Sequence, residues 1–108
     1  MHYNVQKGCD SMDLFNWLEN NATRLSNEDI ANITELTSVK EIYSCWESNE
    51  DGEDLTLYTG LDVDSGVRRY FVMDFIRVWY GGWTYNDIHI WYEISEQDYL
   101  HLCASTEK

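Results

Sequence analysis

The sequence predicts an α+β fold, with N-terminal helices packed on one face of an antiparallel three- to four-stranded meander sheet and a short C-terminal helix. Two observations lead there. Asp54 to Asp64 alternates apolar and polar residues with period two, and both arms of Val67 to Ile94 are rich in β-branched and aromatic residues, with turn signals at Asp64-Ser65-Gly66 and Gly81-Gly82. The flanking segments instead carry apolar residues three and four apart behind capping residues. A chain of 108 residues without a proline or a linker reads as one domain, 1–108.

Met1 to Gly8 alternates weakly, as a short edge strand or a frayed terminus does. Asp10 and Ser11 are N-cap residues. After them Met12, Phe15 and Leu18, widened by Leu14 and Trp17, form a helical stripe that predicts a helix ending near Arg24. Ser26 followed by Asp29 is a capping-box pattern, and Ile30, Ile33 and Leu36 or Thr37 give one apolar face. A second helix is expected from about Asn27 to Thr37. Ser38 to Trp46 fits either period, and its Val, Ile, Tyr and Trp favour a strand. Glu47 to Asp54 holds five carboxylates in eight residues and reads as an acidic loop turning at Gly52.

Register follows from burial. A three-residue Asp64-Ser65-Gly66 loop with Gly66 left-handed pairs Val63 with Val67, Leu57 with Met73 and Leu55 with Phe75. A two-residue Gly81-Gly82 turn then pairs Phe75 with Ile88, Met73 with Ile90 and Phe71 with Tyr92. One apolar face results, with Leu55, Leu57, Leu61, Val63, Phe71, Met73, Phe75, Ile88, Ile90 and Ile94 turned toward the helices. The opposite face carries Tyr58, Tyr70, Val72, Ile76, Val78, Tyr85 and Trp91 among Asp62, Asp74, Asp87, His89 and Glu93. It sets Asp74 opposite His89. Ser95 and Asp98 form a last capping-box pattern, ahead of a short helix with Tyr99, Leu100 and Cys103.

Twenty Asp and Glu against seven Lys and Arg give a formal charge of −13. Such a field repels nucleic acid and anionic membranes and attracts basic protein surfaces. Three cysteines, with no CxxC pair, argue against a disulfide framework and for a reducing compartment. No basic stretch followed by an apolar run opens the chain, and no window approaches the length of a membrane span. The expectation is a cytoplasmic protein.

Catalytic and metal patterns fail on inspection. Glu47, Asn49, Asp51 and Gly52 occupy the first positions of an EF-hand loop, but Tyr58 stands where the bidentate Glu belongs. His101 and Cys103 with His2 or Cys9 match no zinc spacing. Asp74 and His89, read as facing each other, have no nucleophile beside them and make a cross-strand polar pair. Arg68, Arg69 and Arg77 read as internal ion-pair partners. No cofactor and no enzymatic activity are expected.

What is left is a surface. The residues expected to meet a partner are the acidic stretch Glu47, Glu50, Asp51, Glu53 and Asp54, the carboxylates Asp62, Asp64, Asp74 and Asp87, and the aromatic anchors Tyr58, Tyr85 and Trp91. Size, charge, aromatic content and the lack of a catalytic signature resemble the small acidic inhibitors carried by phages and plasmids. These are anti-CRISPR proteins, anti-restriction DNA mimics and uracil-DNA glycosylase inhibitors. The likeness is one of class and rests on no single motif. It implies an inhibitor of a nucleic-acid-handling effector, first of all an anti-CRISPR protein occupying a basic DNA- or RNA-binding groove, with no direct nucleic-acid contact. An immunity protein against a basic nuclease toxin is the alternative. An exposed sheet edge or the aromatic face also suits a homodimer.

Overall fold

The computed structural model describes residues 12–49, 51–79 and 84–105. Five antiparallel strands form one sheet: β1 (Thr23–Leu25), β2 (Ile33–Ser48), β3 (Asp51–Asp62), β4 (Arg68–Trp79) and β5 (Tyr85–Ile94), in the order β1-β5-β4-β3-β2. Three small helices accompany it: α1 (Met12–Asn21), α2 (Asn27–Ile30) and α3 (Glu96–Ser105). The sheet dominates, which corrects the expected three- to four-stranded meander beneath N-terminal helices.

The N-terminal part departs most from expectation. The Ser26 capping box forms in full, since Asp29 N–H donates to Ser26 Oγ and Ser26 N–H to the Asp29 carboxylate. Yet α2 lasts one turn. Ile33, Thr34 and Thr37 are β-branched, and the chain leaves the helix there to begin the sixteen-residue β2. The expected helix from Asn27 to Thr37 is therefore a capped turn followed by strand. Thr23 to Leu25, expected as a helix end, is a short strand on the edge of β5, with Leu25 opposite Trp91. α1 closes earlier, where Ala22 N–H donates to Leu18 O and Asn21 Nδ2 to Trp17 O.

β2 pairs with β3 through four register shifts, between Thr34 and Thr37, Ser38 and Lys40, Glu41 and Tyr43, and Trp46 and Ser48. At the first, Glu35 takes a left-handed φ of 54°, and Thr37 Oγ1 donates to its carbonyl. The acidic stretch is not a loop. Ser48 pairs with Asp51, so it forms the closed end of the β2–β3 hairpin, and Gly52 lies within β3 opposite Trp46. A Cβ at Gly52 would collide with the Trp46 ring, so this glycine seats an indole rather than making a turn.

β4 slips by one residue against both neighbours. Leu57 pairs with Val72 and Leu55 with Asp74. Asp74 in turn pairs with Ile90, and Phe75 with His89. The first cause is turn chemistry. Asp62 Oδ1 accepts from the backbone N–H of both Asp64 and Ser65, and Asp62 O accepts from Gly66 N–H. The turn thus begins on Asp62, not Val63, and four residues rather than three separate the paired Asp62 and Val67. Gly66 takes the expected left-handed conformation, at φ 73°. At the other end, Trp79 pairs with Tyr85. The expected Gly81-Gly82 turn lies outside the described residues, as do Met1 to Gly8, read as an edge strand or a frayed terminus, and the N-cap candidates Asp10 and Ser11.

The slip turns β4 over. One sheet face now carries Leu55, Leu57, Val72 and Ile94, packed against Leu18 of α1 and Leu102 of α3. Phe15 meets Tyr43 edge-on at 5.5 Å, and Tyr70 stacks on Tyr99 at 4.5 Å. Lys40 Nζ reaches across to Cys103 O at 2.7 Å. α3 starts as the sequence implies, with Asp98 N–H donating to Ser95 Oγ. Phe71, Met73 and Phe75, expected in this core, lie on the other side. Cys45 is disulfide-bonded and Cys103 is free, so the cysteine count no longer argues for a reducing compartment. Among the described residues no helix is long and apolar enough to cross a membrane.

Candidate interaction site

Two surfaces carry the residues that the sequence marks as functional. The first is the sheet face away from α1 and α3. Along β4 it presents Arg69, Phe71, Met73, Phe75 and Arg77, alternating by the period of a strand. Phe71 meets Trp91 edge-on at 6.3 Å, and Trp91 meets Tyr58 at 4.9 Å. Phe75 lies between Trp46 at 6.0 Å and His89 at 4.9 Å. Each such pair adds about 0.5–1.5 kcal/mol beyond the area it buries.

Two guanidinium groups close the ends of the row. Arg69 Nε and Nη2 donate to the two Glu93 oxygens at 2.8 and 2.6 Å, and Nη1 donates to Asp62 at 2.8 Å. Its charge also lies 5.7 Å from the Phe71 ring. Arg77 grips Asp87 in the same bidentate way, at 2.7 and 3.0 Å, and stacks 4.1 Å from the Tyr85 ring. The carboxylates respond. Backbone donation from Ser65 and Asp64, with Arg69 behind it, holds Asp62 below the usual carboxylate range. Arg77 does the same for Asp87. Asp54 goes the other way, because partial burial and the nearby Glu41 outweigh the bond it accepts from Trp46. Phe71 and Met73 are buried here without belonging to the helix-packed core. The face works as a thin second core whose aromatic rings cover one another.

The second surface lies on the helix side of the sheet, at the closed ends of the hairpins. Ile76 faces Ile88 across the β4–β5 ladder. With Val78 and Ile90 they form an apolar strip outside the helix-packed core. Val78 is 36% and Ile88 38% exposed. Beside the strip, Tyr43, Cys45, Glu47, Asp51, Glu53 and Arg77 line a shallow groove together with Ile76 and Val78.

At the boundary between this strip and the core sits Asp74, 4% exposed, its Oδ1 without a hydrogen-bond partner. Burial first, then the hydrogen bond and charge of Glu53, push its carboxyl up to about 8. The Asp74 carboxyl is thereby biased toward its protonated form. Its expected place opposite His89 is taken by Phe75, so the Asp74–His89 pair does not form.

The expected contact residues thus divide. Tyr58, Asp62, Tyr85, Asp87, Trp91 and Asp54 share the aromatic face. Glu47, Asp51 and Glu53 share the hairpin end. Asp64 lies exposed in the β3–β4 turn, Asp74 is buried, and Glu50 lies outside the described residues. What the sequence reading missed is the company they keep: Arg69 and Arg77 have the same parity as Phe71, Met73 and Phe75. An arginine at each end of an aromatic row signals the face away from the helices, since arginine covers apolar surface while keeping its charge wet. Among the described residues no group of three His, Cys, Asp or Glu side chains converges to hold a metal ion. Comparison with protein-family models, with curated proteins and with solved structures returned no match.

Proposed function

We propose that this chain acts by binding rather than by catalysis. It is an acidic inhibitor that seats its hairpin end in the basic groove of a nucleic-acid-handling protein, in the manner of an anti-CRISPR protein. The observation that carries the reading is the fate of its cations. Lys40, Arg68, Arg69 and Arg77 all donate to groups of their own chain. Twenty carboxylates stand against seven cations in all, so the excess negative charge is projected outward with few basic side chains to blunt it. The aromatic face supports the reading differently. There Asp62, Asp87 and Glu93 are engaged by arginine, whereas Glu47, Asp51 and Glu53 border the exposed apolar surface at the hairpin end. Charge steers such an encounter, and apolar contact slows its dissociation.

The test is capture of host-lysate proteins on the immobilised chain at low and high salt, followed by competition of each captured protein with duplex DNA. The expected result is retention of a basic nucleic-acid-binding protein that DNA displaces. It should be lost near 1 M salt, where the Debye length falls to about 3 Å. Salt-independent retention, or a stable ternary complex with DNA, overturns the reading.

A further inference from the structure

We infer that the strip formed by Ile76, Val78, Ile88 and Ile90, beside Asp51 and Glu53, is the seat of a basic amphipathic helix of the partner. This rests on the proposed binding to a basic protein and names the element that is bound.

The strip continues the same sheet face that α1 and α3 cover a few residues away, where Leu55, Leu57, Val72 and Ile94 are buried. The chain already packs helices on that face, and the continuation has the same chemistry without belonging to the same core. All four side chains are β-branched and therefore stiff, so they form a surface that loses little entropy on contact. They stand on two adjacent strands, which are about 4.8 Å apart. A helix, about 10 Å across, covers that width.

Charge selects the occupant. The border nearest the strip carries Asp51 and Glu53 beside Ile76 and Val78, and among the described residues the one cation that reaches it, Arg77, has its guanidinium held by Asp87. An arriving helix with an apolar stripe and flanking Lys or Arg is matched on both counts. A second copy of this chain brings the same −13 and the same acidic border, and is repelled.

The test uses the full chain and a model peptide of about 18 residues, long enough for a helix of roughly 27 Å, with a leucine stripe flanked by lysines. A scrambled peptide of identical composition carries the same charge without the stripe. Titration calorimetry and sedimentation then compare the wild type with Ile88→Lys, Val78→Lys, Asp51→Lys and a control, Thr56→Lys, which lies on the other face. Circular dichroism confirms that each variant is folded. The expected result is binding of the striped peptide with helix formation, weakened roughly tenfold or more by Ile88→Lys and Val78→Lys. Asp51→Lys should lower the salt dependence, and Thr56→Lys should leave affinity unchanged. Equal binding of both peptides means that charge alone acts, which overturns the docking strip and leaves the acidic-binder reading standing. Failure of both peptides to bind overturns the two together. A dimer of the chain that Ile88→Lys dissociates assigns the strip to self-association and also refutes the inference.

Discussion

Replacing Asp74 by Asn should make the protein more stable, and the gain should depend on pH. Asp74 ordinarily titrates at 3.8, and in the fold its pKa is pushed up to about 8 by burial and by Glu53. The native state therefore binds a proton that the unfolded chain has released anywhere between those two values. The sign follows: the unfolded state binds fewer protons in this window, so stability falls as pH rises from about 4 to 8 and is flat for this group above that. At about 1.4 kcal/mol per unit, holding the proton at pH 7 costs about 4 kcal/mol. Asn has the same shape, stays neutral and keeps an N–H to donate to Glu53. The expected gain is about 2–4 kcal/mol at pH 7, shrinking to about 1–2 kcal/mol at pH 5. Urea denaturation at pH 5, 7 and 8.5 reads it directly, as a midpoint shift of roughly 1–2 M at pH 7. A variant that is less stable than wild type, or a difference that does not change with pH, refutes the claim that Asp74 is held neutral.

Four further outcomes follow from features already described. Trp91→Ala opens the aromatic face around Phe71 and Tyr58 and should cost about 2–3 kcal/mol by thermal unfolding; an unchanged melting temperature would mean that the face is not a second core. Arg69→Ala strips Glu93 and Asp62 of a half-buried partner and should cost about 1–2 kcal/mol, a loss that narrows in high salt. Gly66→Ala has open space around the new Cβ but must hold φ at 73°, so about 1–2 kcal/mol of backbone cost should appear with no change in the aromatic spectrum. Glu35→Gly relieves the same conformation in β2 and should raise stability by about 0.5–1 kcal/mol in the same melt.

The central strands were legible in the sequence because the alternation of β3, the β-branched and aromatic content of β4 and β5, and the Asp64-Ser65-Gly66 turn residues are strong local signals. The orientation of β4 was not. Phe71, Met73 and Phe75 form one apolar set, and Val72, Ile76 and Val78 form another, so both faces of the strand are suited to burial. Asp74 is the one residue that separates them, and ordinary burial energetics point it outward. The fold buries it instead. What overrides the pattern is the Asp62 carboxylate, which gathers two backbone N–H groups and starts the turn one residue early. Ser26 and Asp29 were read correctly as a cap, but a cap says nothing about helix length; Ile33, Thr34 and Thr37 carried that information through β-branching. Thr23 to Leu25 is too short to show any period. For the proposed site, charge marks the acidic stretch in the sequence, whereas the strip beside it becomes visible only once Ile76 and Ile88 face each other.

The two borders of the sheet are unequal, and this sets a direction for runaway assembly. β2 is interrupted four times along its length, so its outer row of amides and carbonyls is out of phase with any straight strand that tries to extend it. β5 pairs with β1 only at Trp91, Tyr92 and Glu93. Its ladder with β4 runs from Tyr85 to Ile94 without a shift. Among the described residues the stretch from Tyr85 to Ile90 has no strand on its outer side. If acid neutralises the carboxylates and removes their mutual repulsion, fibrils should grow from the β5 side alone. A proline at Ile88 or His89, where a docking strand would need a regular template, should suppress their growth.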